Sequence, residues 1–97
     1  MRVRLTTSIF SFETYELEIE DGGLVFTQAQ KRKTRIPFES IQRFDLEGDN
    51  KSPQHFVLTT REESLEGCFL EEGSAAEVIT ALKNKCGCYI NVQLNME

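Results

Sequence analysis

Ser74-Ala75-Ala76-Glu77-Val78-Ile79-Thr80-Ala81-Leu82-Lys83-Asn84-Lys85-Cys86 carries the helical periodicity of this chain, and it follows a run of short strand patterns. Ala75, Val78, Ile79, Leu82 and Cys86 recur at helical spacing and make one apolar stripe. Ser74 and Glu77 have the spacing of a capping box, in which the serine side chain and the glutamate each satisfy a first-turn amide. Lys83 and Lys85 suit the negative end of the helix dipole, and Gly87 supplies a stop. The spacing predicts a helix over about 75–86.

Before that helix come short stretches that alternate with a period of two, though Ile41, Phe44 and Leu46 do not keep it strictly. Val3, Leu5, Thr7 and Ile9 alternate with Arg4, Thr6 and Ser8 as a first half-buried strand. Tyr15, Leu17 and Ile19 alternate with Glu16, Glu18 and Glu20, so the second strand has one face in water. Asp21-Gly22-Gly23 then signals a hairpin. A two-residue turn at Asp21-Gly22 sets Ile19 opposite Leu24 and Leu17 opposite Phe26, with all four on one face. A one-residue slip would flip every side chain, so the two-residue turn is the expected one.

A third strand, Leu24 to Gln28, returns through 29–33 into a fourth, Thr34 to Phe38. Opposing Phe26 to Ile36 and Leu24 to Phe38 keeps the apolar face. Pro37 lacks an amide proton and places this strand at an end or an edge. Glu39 to Ile41 reads as a turn or bulge into a fifth strand through Glu47, and Gly48 to Gln54 as a loop. Phe56 and Leu58 mark a sixth strand; Leu65, Gly67 and Phe69 mark a seventh. After the helix, Cys88, Ile90, Val92 and Leu94 alternate with Tyr89, Asn91 and Gln93 as an extra C-terminal strand.

The bulk numbers narrow the class. Ninety-seven residues suit one domain over 1–97. A net charge of −5 argues against a general nucleic-acid binder, because phosphate contacts reward a basic surface. No apolar stretch approaches a membrane helix, and Met1-Arg2-Val3-Arg4-Leu5 lacks the apolar middle of a signal peptide. Three cysteines, an odd number, fit a reducing compartment, so the expected location is cytoplasmic.

Candidate chemistry is sparse. Lys31, Arg32, Lys33 and Arg35 form the one dense basic cluster, a candidate anion or lipid-headgroup site at a hairpin tip. The plainer reading is a solvated turn whose charges keep an edge from pairing. Cys86-Gly87-Cys88 is not the C-x-x-C of redox or zinc sites, and both thiols share apolar faces, so burial is expected. His55 is the single histidine and reads as a rim residue. Glu62, Glu63, Glu66, Glu71 and Glu72 lack the order of a calcium loop. No metal site, cofactor or catalytic grouping is expected. The tail strand has no obvious slot in seven strands. It either joins its own sheet or pairs with another chain, which makes Tyr89, Asn91 and Gln93 a candidate interaction edge.

Gly23-Leu24-Val25-Phe26, Arg35-Ile36-Pro37-Phe38-Glu39-Ser40-Ile41, Phe56-Val57-Leu58 and the helix together resemble small bacterial domains of the pleckstrin-homology (PH) superfold. The resemblance covers roughly residues 2 to 86 and includes that family's Ile-Pro-Phe-x-x-Ile corner. It implies a mainly β architecture, a PH-like antiparallel roll of about seven strands plugged by the helix. It also implies a binding or assembly role rather than catalysis. Lipid-binding members carry basic residues around their first hairpin, whereas Phe10-Ser11-Phe12-Glu13 does not. The expected function is a non-enzymatic protein-interaction or self-association module. Peripheral binding to anionic lipid ranks second, and a small-ligand binder or enzyme third.

Overall fold

The computed structural model describes residues 1–8, 11–28, 32–49 and 54–95. Eight strands and one helix follow one another: β1 (Arg2–Ser8), β2 (Ser11–Glu20), β3 (Gly23–Gln28), β4 (Arg32–Pro37), β5 (Ile41–Asp49), β6 (His55–Thr60), β7 (Ser64–Phe69), α1 (Ser74–Lys85) and β8 (Tyr89–Asn95). A 3-10 turn, Phe38–Ser40, joins β4 to β5. All the strands belong to one sheet in the order β4-β3-β2-β1-β7-β6-β5-β8. Neighbours are antiparallel throughout, except that β8 runs parallel to β5.

The alternation read from the sequence decides which face turns inward. Tyr15 and Leu17 of β2 are buried while Glu16 and Glu18 are exposed. The first glycine hairpin has the expected register, Leu17 opposite Phe26 and Ile19 opposite Leu24. Leu24, Phe26, Ile36, Phe44, Phe56, Leu58 and Phe69 meet in one core cluster, to which α1 adds Ala75, Val78 and Leu82. At its centre the ring of Phe56 lies 4.7 Å from that of Phe69 and 6.1 Å from that of Phe44. Rings at these separations add to the stabilisation from buried area.

Three local expectations are corrected. The β3–β4 hairpin is two residues tighter than the sequence suggested, with Leu24 opposite Ile36 and Phe26 opposite Thr34. A slip of two keeps every side chain on its face, so apolar parity cannot distinguish the registers. What decides is that Phe38 leaves the strand for the 3-10 turn and is buried there. The close pairing of Gly23 with Pro37 also matters, because a Cβ on Gly23 would meet the carbonyl oxygen of Ile36.

The second correction is the start of α1. Gly73, in the left-handed region at φ 85°, is the N-cap, and no side chain caps the helix. Ser74 is instead the buried first helical residue, and the amide of Glu77 bonds to the carbonyl of Gly73 at 3.3 Å. Glycine adopts that conformation without the Cβ penalty, so the N-cap falls one residue before Ser74 and the expected capping box is not formed. The third concerns the helix end: Cys86, not Gly87, turns extended, with its amide on the carbonyl of Leu82 at 2.9 Å.

The extra C-terminal strand takes the place of an intramolecular neighbour. Parallel neighbours need a crossover connection, and α1 supplies one by carrying the chain back to the start of β5. Ile90 then stands beside Phe44, and Val92 beside Leu46, so β8 continues the inner apolar face of β5.

Candidate interaction edge

β4 and β8 are the two outer strands of the sheet. Their compositions differ at once. β4 reads Arg-Lys-Thr-Arg-Ile-Pro, and β8 reads Tyr-Ile-Asn-Val-Gln-Leu-Asn with no charged residue. Edge strands expose unpaired amides and carbonyls, and proteins protect them with charge and proline. β4 is protected in both ways. β8 is protected in neither.

Of the basic cluster, the described side chains are those of Lys33 and Arg35, two apart on β4. Lys31 lies outside the described residues. Arg32 opens β4 opposite Gln28, and Lys33 stands opposite Thr27 and is exposed. Arg35 is also exposed, and its guanidinium pairs with Glu20 of β2 at 3.5 Å, with β3 between the two strands. Lys33 and Arg35 therefore alternate along a solvated strand, with one of the two already partnered by a carboxylate.

At the other edge, the parallel register aligns Tyr89 with Arg43, Asn91 with Asp45, and Gln93 with Glu47. Arg43 and Asp45 are two apart on β5, so strand parity puts both on the same face. Their pairing is bidentate: Nε donates to Oδ2 at 2.7 Å and Nη2 to Oδ1 at 2.8 Å. The guanidinium also lies 4.9 Å from the centre of the Tyr89 ring, and Asn91 Nδ2 donates to Asp45 Oδ1 at 3.2 Å. The hydrogen bond from Arg43 holds the Asp45 carboxyl below its ordinary range, opposed by partial burial and aided by Asn91. The same bond raises the Arg43 guanidinium. These contacts pin β8 to β5 from the outer face.

Beyond Asp45 the polar row continues through Glu47, His55 and Glu66. His55 Nδ1 is 3.5 Å from Glu47 Oε1, and Nε2 is 3.0 Å from Glu66 Oε1. A shallow depression of about 240 Å³ lies here, lined by Asp45, Glu47, His55, Asn91 and Gln93 among others. Both nitrogens of the ring face carboxylates, an arrangement that ties three strands together. Among the described residues, no group of three or more His, Cys, Asp or Glu side chains could hold a metal ion.

The cysteines behave as packed thiols. Cys86 and Cys88 pack partly buried against the core, and Cys86 Sγ donates to the Phe38 carbonyl at 3.2 Å. Burial, with Cys86 beside it, pushes the Cys88 thiol up to about 11. Cys68, Cys86 and Cys88 are all free.

The three residues read from the tail, Tyr89, Asn91 and Gln93, thus share one face of β8. Sequence reading missed their partners Arg43 and Asp45. The R-x-D spacing was there to be noticed, but nothing local says that the tail lies beside β5. It also missed Val92, which is 44% exposed although it stands beside the buried Leu46. Tyr89 is 60% exposed.

No family model matches this chain, and no curated protein matches it. Eight chains of solved structures do match. One, from the structure of the Spt16D Pob3N heterodimer, superposes with a TM-score of 0.68 at 10% identity. The match covers 98% of this chain and 51% of the other, so this chain spans about half the length of its structural neighbour. At that identity the likeness is one of fold. Mainly β, with one rolled sheet and one closing helix, the chain has a PH-like architecture.

Proposed function

We propose that this domain is a non-catalytic protein-interaction module and that its docking element is the outer edge of β8. The observation that carries the reading is the contrast between the sheet's two edges. β4 bears charge and a terminal proline, whereas β8 bears seven uncharged residues. An edge without charge or proline is suited to accept a further strand, the mode in which main-chain hydrogen bonds provide affinity. The clamp of Arg43, Asp45, Tyr89 and Asn91 holds that edge in place before any partner arrives, which lowers the ordering cost of binding. The solved neighbour belongs to a heterodimer, which agrees with an assembly role for the fold.

Affinity capture from a native extract tests the reading, with the wild-type chain set against Val92→Lys. Val92 is 44% exposed at the sheet's edge, so a lysine there can carry its ammonium group into water and place a charge at the edge. Proteins retained by the wild type should be lost from the variant. Equal retention by both chains removes β8 as the docking element.

A further inference from the structure

Building on β8 as the docking edge, we infer that its occupant is a second copy of this chain, paired strand to strand and antiparallel about a two-fold axis at Val92. The two sheets then become one continuous sheet across the interface.

Self-complementarity is the first argument. A two-fold contact places the same patch on both partners, so the strand must match its own reverse. Reversed about Val92, β8 sets Val92 opposite Val92, Asn91 opposite Gln93, and Ile90 opposite Leu94. The central five positions each meet one of their own kind, an apolar residue against an apolar one and an amide against an amide, while at the ends Tyr89 falls opposite Asn95. Cross-strand side-chain pairs are the unit of sheet stabilisation, and none of these pairs sets like charges against each other.

Charge is the second argument. Each chain carries a net −5, which would oppose association of two copies through most of the surface. At β8 the nearest charged row, Arg43, Asp45 and Glu47, stands one strand inward on β5. The two β5 strands of a pair are then three strand spacings apart, about 14 Å. That exceeds the screening length of about 8 Å at physiological salt. Repulsion is weakest where the sequence is uncharged. A strongly charged partner strand, by contrast, would find no counter-charge on β8.

Unfinished burial is the third argument. Val92 continues the inner face of the sheet beside Leu46, which is buried, yet remains 44% exposed. Among the described residues no strand lies outside it, because β8 is the last of the sheet. At the two-fold axis the two Val92 side chains cover each other.

One strand pair makes a small interface, so the dimer should be concentration-dependent. Sedimentation equilibrium of the full chain from low micromolar to near millimolar concentration should show the mass rising from 11.1 kDa towards twice that value. Val92→Lys should stay at the monomer mass with an unchanged circular dichroism spectrum. A wild-type sample mixed from isotope-labelled and unlabelled chains should give intermolecular nuclear Overhauser contacts between Asn91 and Gln93, and this readout does not depend on the variant folding. A wild type that remains monomeric throughout overturns the second-copy inference. The docking-edge reading then stands or falls on the capture experiment, where Val92-dependent retention of other proteins would keep it. A dimer that persists in Val92→Lys, or whose cross-chain contacts map away from β8, also overturns the inference.

Discussion

The two edges of this sheet face the same hazard and meet it differently. β4 presents Lys33 and Arg35 to water and stops at Pro37, so a strand approaching from outside meets charge and then a missing donor. β8 presents no charge, and the chain uses polar side chains there for another purpose. Arg43, Asp45, Asn91 and Tyr89 bind β8 to its inner neighbour and leave its outer side chemically neutral. One edge carries charge and a proline, while the other is tied to its inner neighbour by side chains and carries neither. Edge composition thus separates a strand that only terminates a sheet from one that can extend it.

The most severe test of this contrast removes the support beneath β8. Phe44→Ala deletes the ring on β5 that packs against Phe56 and Phe69, and it should cost about 3–5 kcal/mol in denaturant unfolding. A cost below about 1 kcal/mol would mean that β5 does not anchor the edge through the core.

Gly23→Ala attacks the opposite edge. The new methyl meets the Ile36 carbonyl, so β4 must shift, at about 1–3 kcal/mol. Amide hydrogen exchange should accelerate across Arg32–Pro37 and stay slow in β8. If both edges loosened together, they would form one cooperative unit and the contrast would be compositional only.

Alkaline pH probes the junction between α1 and β8. The Cys88 thiol, raised in the folded state from its ordinary 9.0 to about 11, favours the protonated form there. Its contribution to stability is therefore complete below about 9 and is lost as pH rises through about 11. Ultraviolet thiolate absorbance should show a late-ionising thiol that disappears in Cys88→Ser. Three thiols all titrating near 9 would show that the junction is not packed as described.

The smallest effects belong to the guarded edge. Lys33→Glu and Arg35→Glu should change stability by no more than about 0.5 kcal/mol. Sedimentation of anionic vesicles at low salt should carry down no wild-type protein. Vesicle binding by the wild type that the reversals abolish would make β4 a membrane-facing edge, and the functional assignment of the two edges would need to be exchanged.

Much of this was legible beforehand, for reasons that differ from element to element. The hairpin at Asp21-Gly22 was readable because its strands have one apolar face and a short turn, which together leave one register. The β3–β4 hairpin was readable only to the nearest two residues, since parity is blind to that slip. The helix stripe was plain, but its cap was not. Ser74 has the chemistry of an N-cap, while the left-handed backbone at Gly73 took that place. For the edge, Tyr89, Asn91 and Gln93 could be named from alternation, whereas Arg43 and Asp45 could not be joined to them, and the exposure of Val92 on the apolar side of the same strand could not be read.

What the sequence determined by itself is local: which residues alternate, which face of each strand is apolar, where glycine and proline interrupt, and that a helix closes the run. These follow from spacing and side-chain chemistry within a few residues. Tertiary structure alone decided that the tail runs parallel to β5 and that β8 forms the sheet's second edge. That choice sets 89–95 against 43–49, segments separated by two strands and the helix. It is selected by the packing of α1 and of Ile90 against the assembled core, a contact that exists only after the roll has formed.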